Sequence, residues 1–258
     1  MSTTTQTKNA RFGRLFERRD DRDLPYYNGG PTEIATWKWL LIVLSCAVSF
    51  TALSVIPASS DIESLFPRTL FPVIMLVVFI SFTGRFWTSI FKKPTGRDWL
   101  AMLGYGILTL AVSSIVGAVI AGFFGSNSNA ATGELATEGP AELAAFFLGT
   151  GIQIFGEELF SILPFLALVY FLYTRVGLSR KSSIIIAWLL VAVWFGAAHL
   201  STYGWNILQA LVGIGVARLV LTLAFIRTKN IFVSTGAHIF NDWFGFIFIV
   251  VTSSAVAA

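Results

Sequence analysis

The chain has two histidines, His199 and His238, and both stand inside long apolar stretches. A third apolar stretch carries the acidic pair Glu157 and Glu158, and Asp242 follows His238 by four residues. A desolvated carboxylate beside an imidazole can take a proton from water near neutral pH, and donors aimed at a developing oxyanion lower the barrier to acyl transfer. Ionisable groups at membrane depth cost kilocalories each and are kept where they face a protein interior or a wet cavity. The three segments are therefore expected to bring Glu157, His199, His238 and Asp242 to one polar cavity, with neighbouring side chains within about 8 Å.

Spacing assigns different tasks within this set. Adjacent helical residues point about 100° apart, so Glu157 and Glu158 cannot aim at the same point. One should face the reacting centre while the other supports it or pairs elsewhere. His238 and Asp242 share a helix face, as do Phe195 and His199, where an apolar ring lies one turn below an imidazole. Gly149, Gly151 and Gly156 let helices approach closely, and Pro164 removes one helical hydrogen bond, which predicts a kink beside the carboxylates. Gln153, Asn206, Gln209 and Asn241 read as interhelical hydrogen-bond partners, and Asn241 also stands where it would meet a substrate. Arg218 is the cation that falls within an apolar span, close to the small residues Gly213 and Ala217. Two readings of it are open: it compensates Glu158 or Asp242, or it snorkels to an interface about two turns away.

The elements that must position these groups are membrane helices. In 258 residues, 55% are hydrophobic and 12% charged, and the mean hydropathy is +0.73. That is too apolar for an ordinary soluble domain of this length. A bilayer core needs roughly 20 helical residues. Stretches of that order run from Trp37 to Ile56, Thr69 to Phe86, Trp99 to Phe124, Ala141 to Tyr173, Ser183 to Leu200, Asn206 to Ile226 and Ile231 to Thr252. The expected fold is all-α, a polytopic membrane bundle of about seven helices. The transmembrane domain covers 37–252, its motif-bearing core 141–252, with a basic tail at 1–36 and a short tail at 253–258. The fourth stretch is too long for one perpendicular span, so it should be tilted, kinked or broken, which would admit water. No internal repeat is visible. Cys46 is the only cysteine, which excludes an intramolecular disulfide and a multi-cysteine metal cluster. The first 36 residues lack the pattern of a secretory signal peptide, leaving the first span as the targeting element.

Charge orients the spans. Lys8, Arg11, Arg14, Arg18, Arg19 and Arg22 lie in the tail, and alternate connections hold Arg85, Lys92, Lys93 and Arg97, then Arg175, Arg180 and Lys181, then Arg227 and Lys229. The positive-inside rule makes these four regions cytoplasmic. The intervening connections hold Asp61, Glu63 and Arg68, then Glu134, Glu138 and Glu142, then no charge from Ser201 to Trp205. The net charge of +4 is thus a topology signal that requires no nucleic acid. The expected partners are membrane lipids and a peptide or protein substrate in the membrane, and the expected location is the plasma membrane with a cytoplasmic N-terminus. Phe12, Leu15 and Phe16 recur at helical spacing among arginines, so this part of the tail either lies on an anionic leaflet or is disordered. Gly125 to Pro140 reads as a flexible loop.

Taken together, the segments from roughly Ala141 to Thr252 resemble the CPBP (Abi) family, the CAAX-protease and bacteriocin-processing group of intramembrane endopeptidases. The family pattern is Glu-Glu-x-x-x-Arg, then Phe-x-x-x-His, then His-x-x-x-Asn or His-x-x-x-Asp. Glu157-Glu158, Phe195 to His199 and His238 to Asp242 fill it in order. The departure is Ile162, which stands where the family arginine should fall. The resemblance implies that Glu157 and His199 activate the attacking water while His238 and residue 242 stabilise the oxyanion. An ionised Asp242 cannot donate a hydrogen bond, so it would be protonated, orient His238 or bind a metal. Glu157, His199, His238 and Asp242 could supply a catalytic Zn²⁺. The chain lacks His-Glu-x-x-His, and the metal-free reading, with no cofactor, is preferred.

The family's substrates point to prenylated C-terminal CAAX peptides or to peptide precursors such as bacteriocins, and no prenyl pocket is readable in the sequence. Two other classes stay open: a catalytically silent relative acting as membrane scaffold or bacteriocin-immunity protein, and a small transporter with an ion relay. Depth poses a problem for all of them. His199 lies about 16 residues from the cytoplasmic end of its span and His238 about seven from the same end of its own. Helices must be offset, short or re-entrant for these groups to meet.

Overall fold

A computed structural model of the chain describes residues 8–257 apart from 19, 21, 130, 131, 133, 134 and 136, with side chains described to 252. Arg19 and Glu134, which entered the charge reading, lie outside the described residues. All regular elements among the described residues are helical. In chain order they are α1 (Thr36–Val55), α2 (Asp61–Thr83) with a 3₁₀ extension (Gly84–Ile90), α3 (Gly96–Phe124) and α4 (Pro140–Tyr170) closed by a π-helical turn (Phe171–Arg175). Then follow α5 (Arg180–Ala198), a π-helical stretch (Gln209–Ile214) leading into α6 (Gly215–Thr228), and α7 (Ile231–Ala257). Seven helices among the described residues are long and apolar enough to cross a membrane. The protein is an integral, multi-pass, all-α membrane protein.

The central helix is α4. It is apolar on all sides from Leu159 to Val169, and a helix hydrophobic all round belongs in a core. It packs against α1, α2, α5 and α7. By contrast α1, α3 and α5 turn Leu44, Leu100 and Leu189 outward, as lipid-facing helices do. Gly156 of α4 makes the contact with α2 possible, since a Cβ there would stand 2.5 Å from Cδ1 of Phe71.

Helix ends depart from the hydropathy reading where capping chemistry extends them. α2 begins at Asp61 rather than near Thr69, because the Ser60 hydroxyl accepts from the Glu63 amide at 3.2 Å and two acidic residues occupy the first turn. Arg68, expected in a connection, is thereby carried into α2. α3 begins at Gly96 behind a capping box in which Thr95 and Asp98 satisfy each other's backbone amides.

The N-terminal segment packs as a cover over one end of the bundle; among its described residues it is neither a free tail nor a lone amphipathic helix. Glu17 is buried and accepts from Arg180 Nη2 at 2.6 Å and Nη1 at 2.9 Å, with Lys229 Nζ also at 2.9 Å. Burial alone would raise the Glu17 carboxyl, but Arg180 and Lys229 more than offset it and hold it at about 2. Tyr26 donates to the Phe86 carbonyl at 2.7 Å, and burial pushes its phenol up to about 12. The cover encloses the α6–α7 corner, where Lys229 adopts a left-handed conformation and Asn230 and Ile231 are buried. That corner is recessed beneath the cover, so α7 starts inside the protein. His238 lies two turns into α7 from Ile231, and Phe195, near the C-terminus of α5, meets it there with ring centres 6.1 Å apart.

Candidate active site

Glu158 points away from open space and is fully buried. Arg218 of α6 grips it through two parallel hydrogen bonds, Nη1 to Oε1 at 2.6 Å and Nη2 to Oε2 at 3.0 Å. Arg218 Nε donates to Thr222 Oγ1 at 3.1 Å, and its guanidinium lies 5.2 Å from the centre of the Phe195 ring. Arg218 is completely enclosed, so it does not snorkel. Ile162, at the family arginine position one turn beyond Glu158, is enclosed among apolar side chains. The cation that the motif places on α4 is delivered here from α6, in the bidentate geometry that suits a desolvated carboxylate.

Glu158 also positions a histidine. His238 Nδ1 lies 2.9 Å from Glu158 Oε1, and since an ionised carboxylate only accepts, the proton sits on Nδ1. Nε2 is thereby turned toward Glu157 Oε2 at 3.7 Å and Asp242 Oδ2 at 3.6 Å. Both separations exceed a direct hydrogen bond. Glu157 accepts from Gln153 Nε2 at 2.8 Å, and Asp242 accepts from Asn241 Nδ2 at 2.8 Å. Asn241 Oδ1 is buried without a hydrogen-bond partner.

His199 caps the C-terminus of α5, and its Nδ1 lies 2.8 Å from the Phe195 carbonyl. A carbonyl cannot donate, so Nδ1 carries the proton and Nε2 is left for the site. The Phe195 ring neighbours both imidazoles, 4.5 Å from His199 and 6.1 Å from His238 between ring centres. Glu157, His199, His238 and Asp242 all line one cavity of about 430 Å³. It reaches Ser126 and Asn129 in the α3–α4 connection and Thr202 and Tyr203 in the α5–α6 connection. These connections lie at the opposite end of α3, α5 and α6 from Arg97, Arg180 and Lys229. The α5–α6 connection is pinned to the loop after α3, where Asn127 and Gln209 exchange hydrogen bonds at 2.9 Å and Asn127 Nδ2 donates to the Tyr203 carbonyl at 2.8 Å.

Two lining residues escaped the sequence reading. Arg68 reaches the cavity from α2, pairs with Asp61 at 3.2 Å through Nη2, and holds Nη1 buried without a hydrogen-bond partner. Gly149 makes room for it, since a Cβ would stand 2.7 Å from Nη1. That glycine was the available signal, read only as a packing site. Tyr203 carried no signal. Burial, then the charges of Asp242 and Glu157, push its phenol up to about 12, which keeps it a neutral O–H donor.

A zinc site needs several donor atoms converging on one point. Among the described residues, the His, Cys, Asp and Glu side chains that place three ligand atoms within 4.8 Å of one another are Asp61, Glu138 and Glu142. Glu157, His199, His238 and Asp242 do not make such a set. The chemistry below is derived from the side chains alone.

The segment holding both glutamates, both histidines, Arg218 and Asp242 can be compared with known proteins. Residues 139–244 match the family model described as type II CAAX prenyl endopeptidase Rce1-like. That stretch is similar to the family's domain. Neither a curated protein nor a solved structure matches the chain. The matched stretch comprises α4, α5, α6 and the first half of α7, so Arg68 and the N-terminal cover lie outside it. The family that this stretch resembles is one of prenyl endopeptidases, a likeness that supports an endopeptidase function.

Proposed function

We propose that the chain hydrolyses a peptide bond of a membrane-associated substrate, with Glu157 as general base. The observation that carries this reading is the division between the two glutamates. Glu158 is neutralised by Arg218 and spends its remaining oxygen capacity on His238, while Glu157 stays on the cavity wall facing the imidazole. One carboxylate fixes the machinery and the other is left to react.

In the proposed step, water held between Glu157 and His199 Nε2 gives a proton to Glu157 as its oxygen bonds to the scissile carbonyl carbon. The oxyanion that forms is met by His238, whose imidazolium form keeps one N–H on Glu158 and presents the other at Nε2. The Tyr203 hydroxyl is a second donor on the same wall. Asp242, accepting from Asn241, stands 3.6 Å from His238 Nε2 as a counter-charge to the imidazolium, a role that asks no donated hydrogen bond of an aspartate. Collapse of the intermediate breaks the C–N bond, and Glu157 returns its proton to the leaving amine. The products are a carboxylate and an amine, and Glu157 is regenerated. The unpartnered Asn241 Oδ1 and Arg68 Nη1 offer an acceptor and a donor to the substrate backbone.

The positive-inside rule would place the cavity mouth on the non-cytoplasmic side, since it opens away from the basic end. A precursor peptide or membrane-protein segment displayed on that face suits this arrangement better than a prenylated C-terminus in the cytoplasm. Arg218 also answers the departure at Ile162 that motivates a silent scaffold. The test is Glu157→Gln, which preserves volume and removes the base: cleavage should be abolished while insertion and folding persist. Equal cleavage by the variant would refute the assignment.

A further inference from the structure

At the opposite end of the bundle from the catalytic cavity, the N-terminal cover and α3 line an open cavity of about 1210 Å³. Its rim carries Arg14, Arg18, Arg22, Arg97 and Arg227, with Asp20 as the carboxylate among them. Two of the arginines are committed to the fold. Arg18 reaches Asp98 at 2.5 Å and the Arg97 carbonyl at 3.1 Å, and Arg227 donates to the Leu15 carbonyl. The others are not so engaged. Arg14 and Arg97 make no side-chain ion pair or hydrogen bond among the described residues, and Arg22 keeps Nη1 buried without a partner, its Nε lying 3.9 Å from Asp20. Among the described residues the guanidiniums outnumber the carboxylates on this rim, and guanidiniums held near one another are stabilised by an anion that accepts from several of them.

The floor of this cavity is apolar and continues down the lipid-facing side of α3. Leu100, Gly104 and Leu108 recur every four residues, so they form one strip about 12 Å long. Leu100 and Leu108 are exposed, and a Cβ at Gly104 would meet nothing within 4 Å, so the strip is open along its length. A free phosphate or a nucleotide has no use for such a floor. A molecule with an anionic head and a hydrocarbon chain uses both parts.

We infer that this cavity binds one anionic glycerophospholipid, its phosphate among Arg14, Arg22 and Arg97 and an acyl chain along the Leu100–Gly104–Leu108 strip. The end of a membrane bundle richest in arginine meets the headgroup layer, where basic pockets between helices recognise anionic lipids. The site is independent of the peptidase reading, because it shares no residue with the catalytic cavity.

The experiment compares retention of phosphatidylglycerol and phosphatidylcholine by the purified full chain, by native mass spectrometry from mixed micelles, with glycerol phosphate as a headgroup-only probe. Wild type should retain phosphatidylglycerol selectively. Arg14→Gln/Arg97→Gln, which breaks no side-chain hydrogen bond or ion pair among the described residues, should weaken that retention on the order of thirtyfold, the effect of two basic residues acting on a headgroup. Gly104→Leu, whose Cβ would meet nothing within 4 Å, fills the strip and should weaken lipid retention while leaving the thermal midpoint in a zwitterionic detergent unchanged. Equal retention of the two lipids, or retention indifferent to both variants, would overturn the proposal. Glycerol phosphate binding as tightly as the lipid, with no effect of Gly104→Leu, would also overturn it and leave a simple anion site.

Discussion

Replacing Arg218 by leucine removes the guanidinium that neutralises Glu158 and leaves the shape of the helix face nearly intact. The carboxylate would remain fully buried, holding only His238 Nδ1 at 2.9 Å after losing partners at 2.6 and 3.0 Å. Two hydrogen bonds to a charged group are together worth about 3 to 6 kcal/mol, and breaking one side of a buried ion pair costs about 3 to 5 kcal/mol. For a chain of this size that corresponds to a fall in thermal midpoint of roughly 6 to 20 °C. Activity should fall with it, because Glu158 sets the orientation of His238. The assay is thermal unfolding in detergent with cleavage measured in parallel. The second variant, Arg218→Leu/Ile162→Arg, returns a cation one turn from Glu158 on the same face of α4, and part of the lost midpoint should be recovered. An unchanged midpoint in Arg218→Leu would refute the claim that this pair holds the site. A double variant no more stable than the single one would refute the equivalence between Arg218 and the family arginine.

The Glu17 carboxyl, held at about 2 against an ordinary 4.5, contributes stability that is complete above pH 4.5 and is lost as pH falls toward 2. Glu17→Gln should therefore have a lower midpoint at neutral pH and lack the decline of the wild type across that window, as read from thermal midpoints against pH. Asp242→Asn should keep activity within about tenfold of wild type, because the side-chain oxygen still accepts from Asn241 and only the counter-charge to His238 is lost. Asp242→Ala should lose on the order of a hundredfold or more in kcat, the usual effect of disturbing an oxyanion donor. Cysteine placed at Thr202 should react with a membrane-impermeant thiol reagent added outside intact cells, whereas cysteine at Lys93 should react only after permeabilisation. The reverse pattern would place the cavity mouth on the cytoplasmic side.

Hydropathy alone located the apolar body of each span, because burial in lipid demands about 20 apolar residues and little else resembles that pattern. It missed the first two turns of α2, since those depend on Ser60, Asp61 and Glu63, and capping residues are polar. Arg68 was lost with them. The three motif segments were legible because intramembrane histidines and acids are rare, and Arg218 stood out for the same reason. Whether Arg218 would choose Glu158 or Asp242 could not be read, because that depends on the rotation of α4 and α7 against α6. Tyr203 and the N-terminal cover were hidden for a further reason. Glu17 meets Arg180 across 163 residues of sequence, and no local pattern signals such a pairing.

The central claim is that Glu157 is the reacting carboxylate of a peptidase, and it can be tested without knowing the substrate. Cells producing equal amounts of wild type or Glu157→Gln, with matched thermal midpoints, would have the new N- and C-termini of their membrane and exported peptides quantified by mass spectrometry. A set of termini present with wild type and absent with Glu157→Gln is the predicted result. Identical sets from the two strains would contradict the assignment of Glu157.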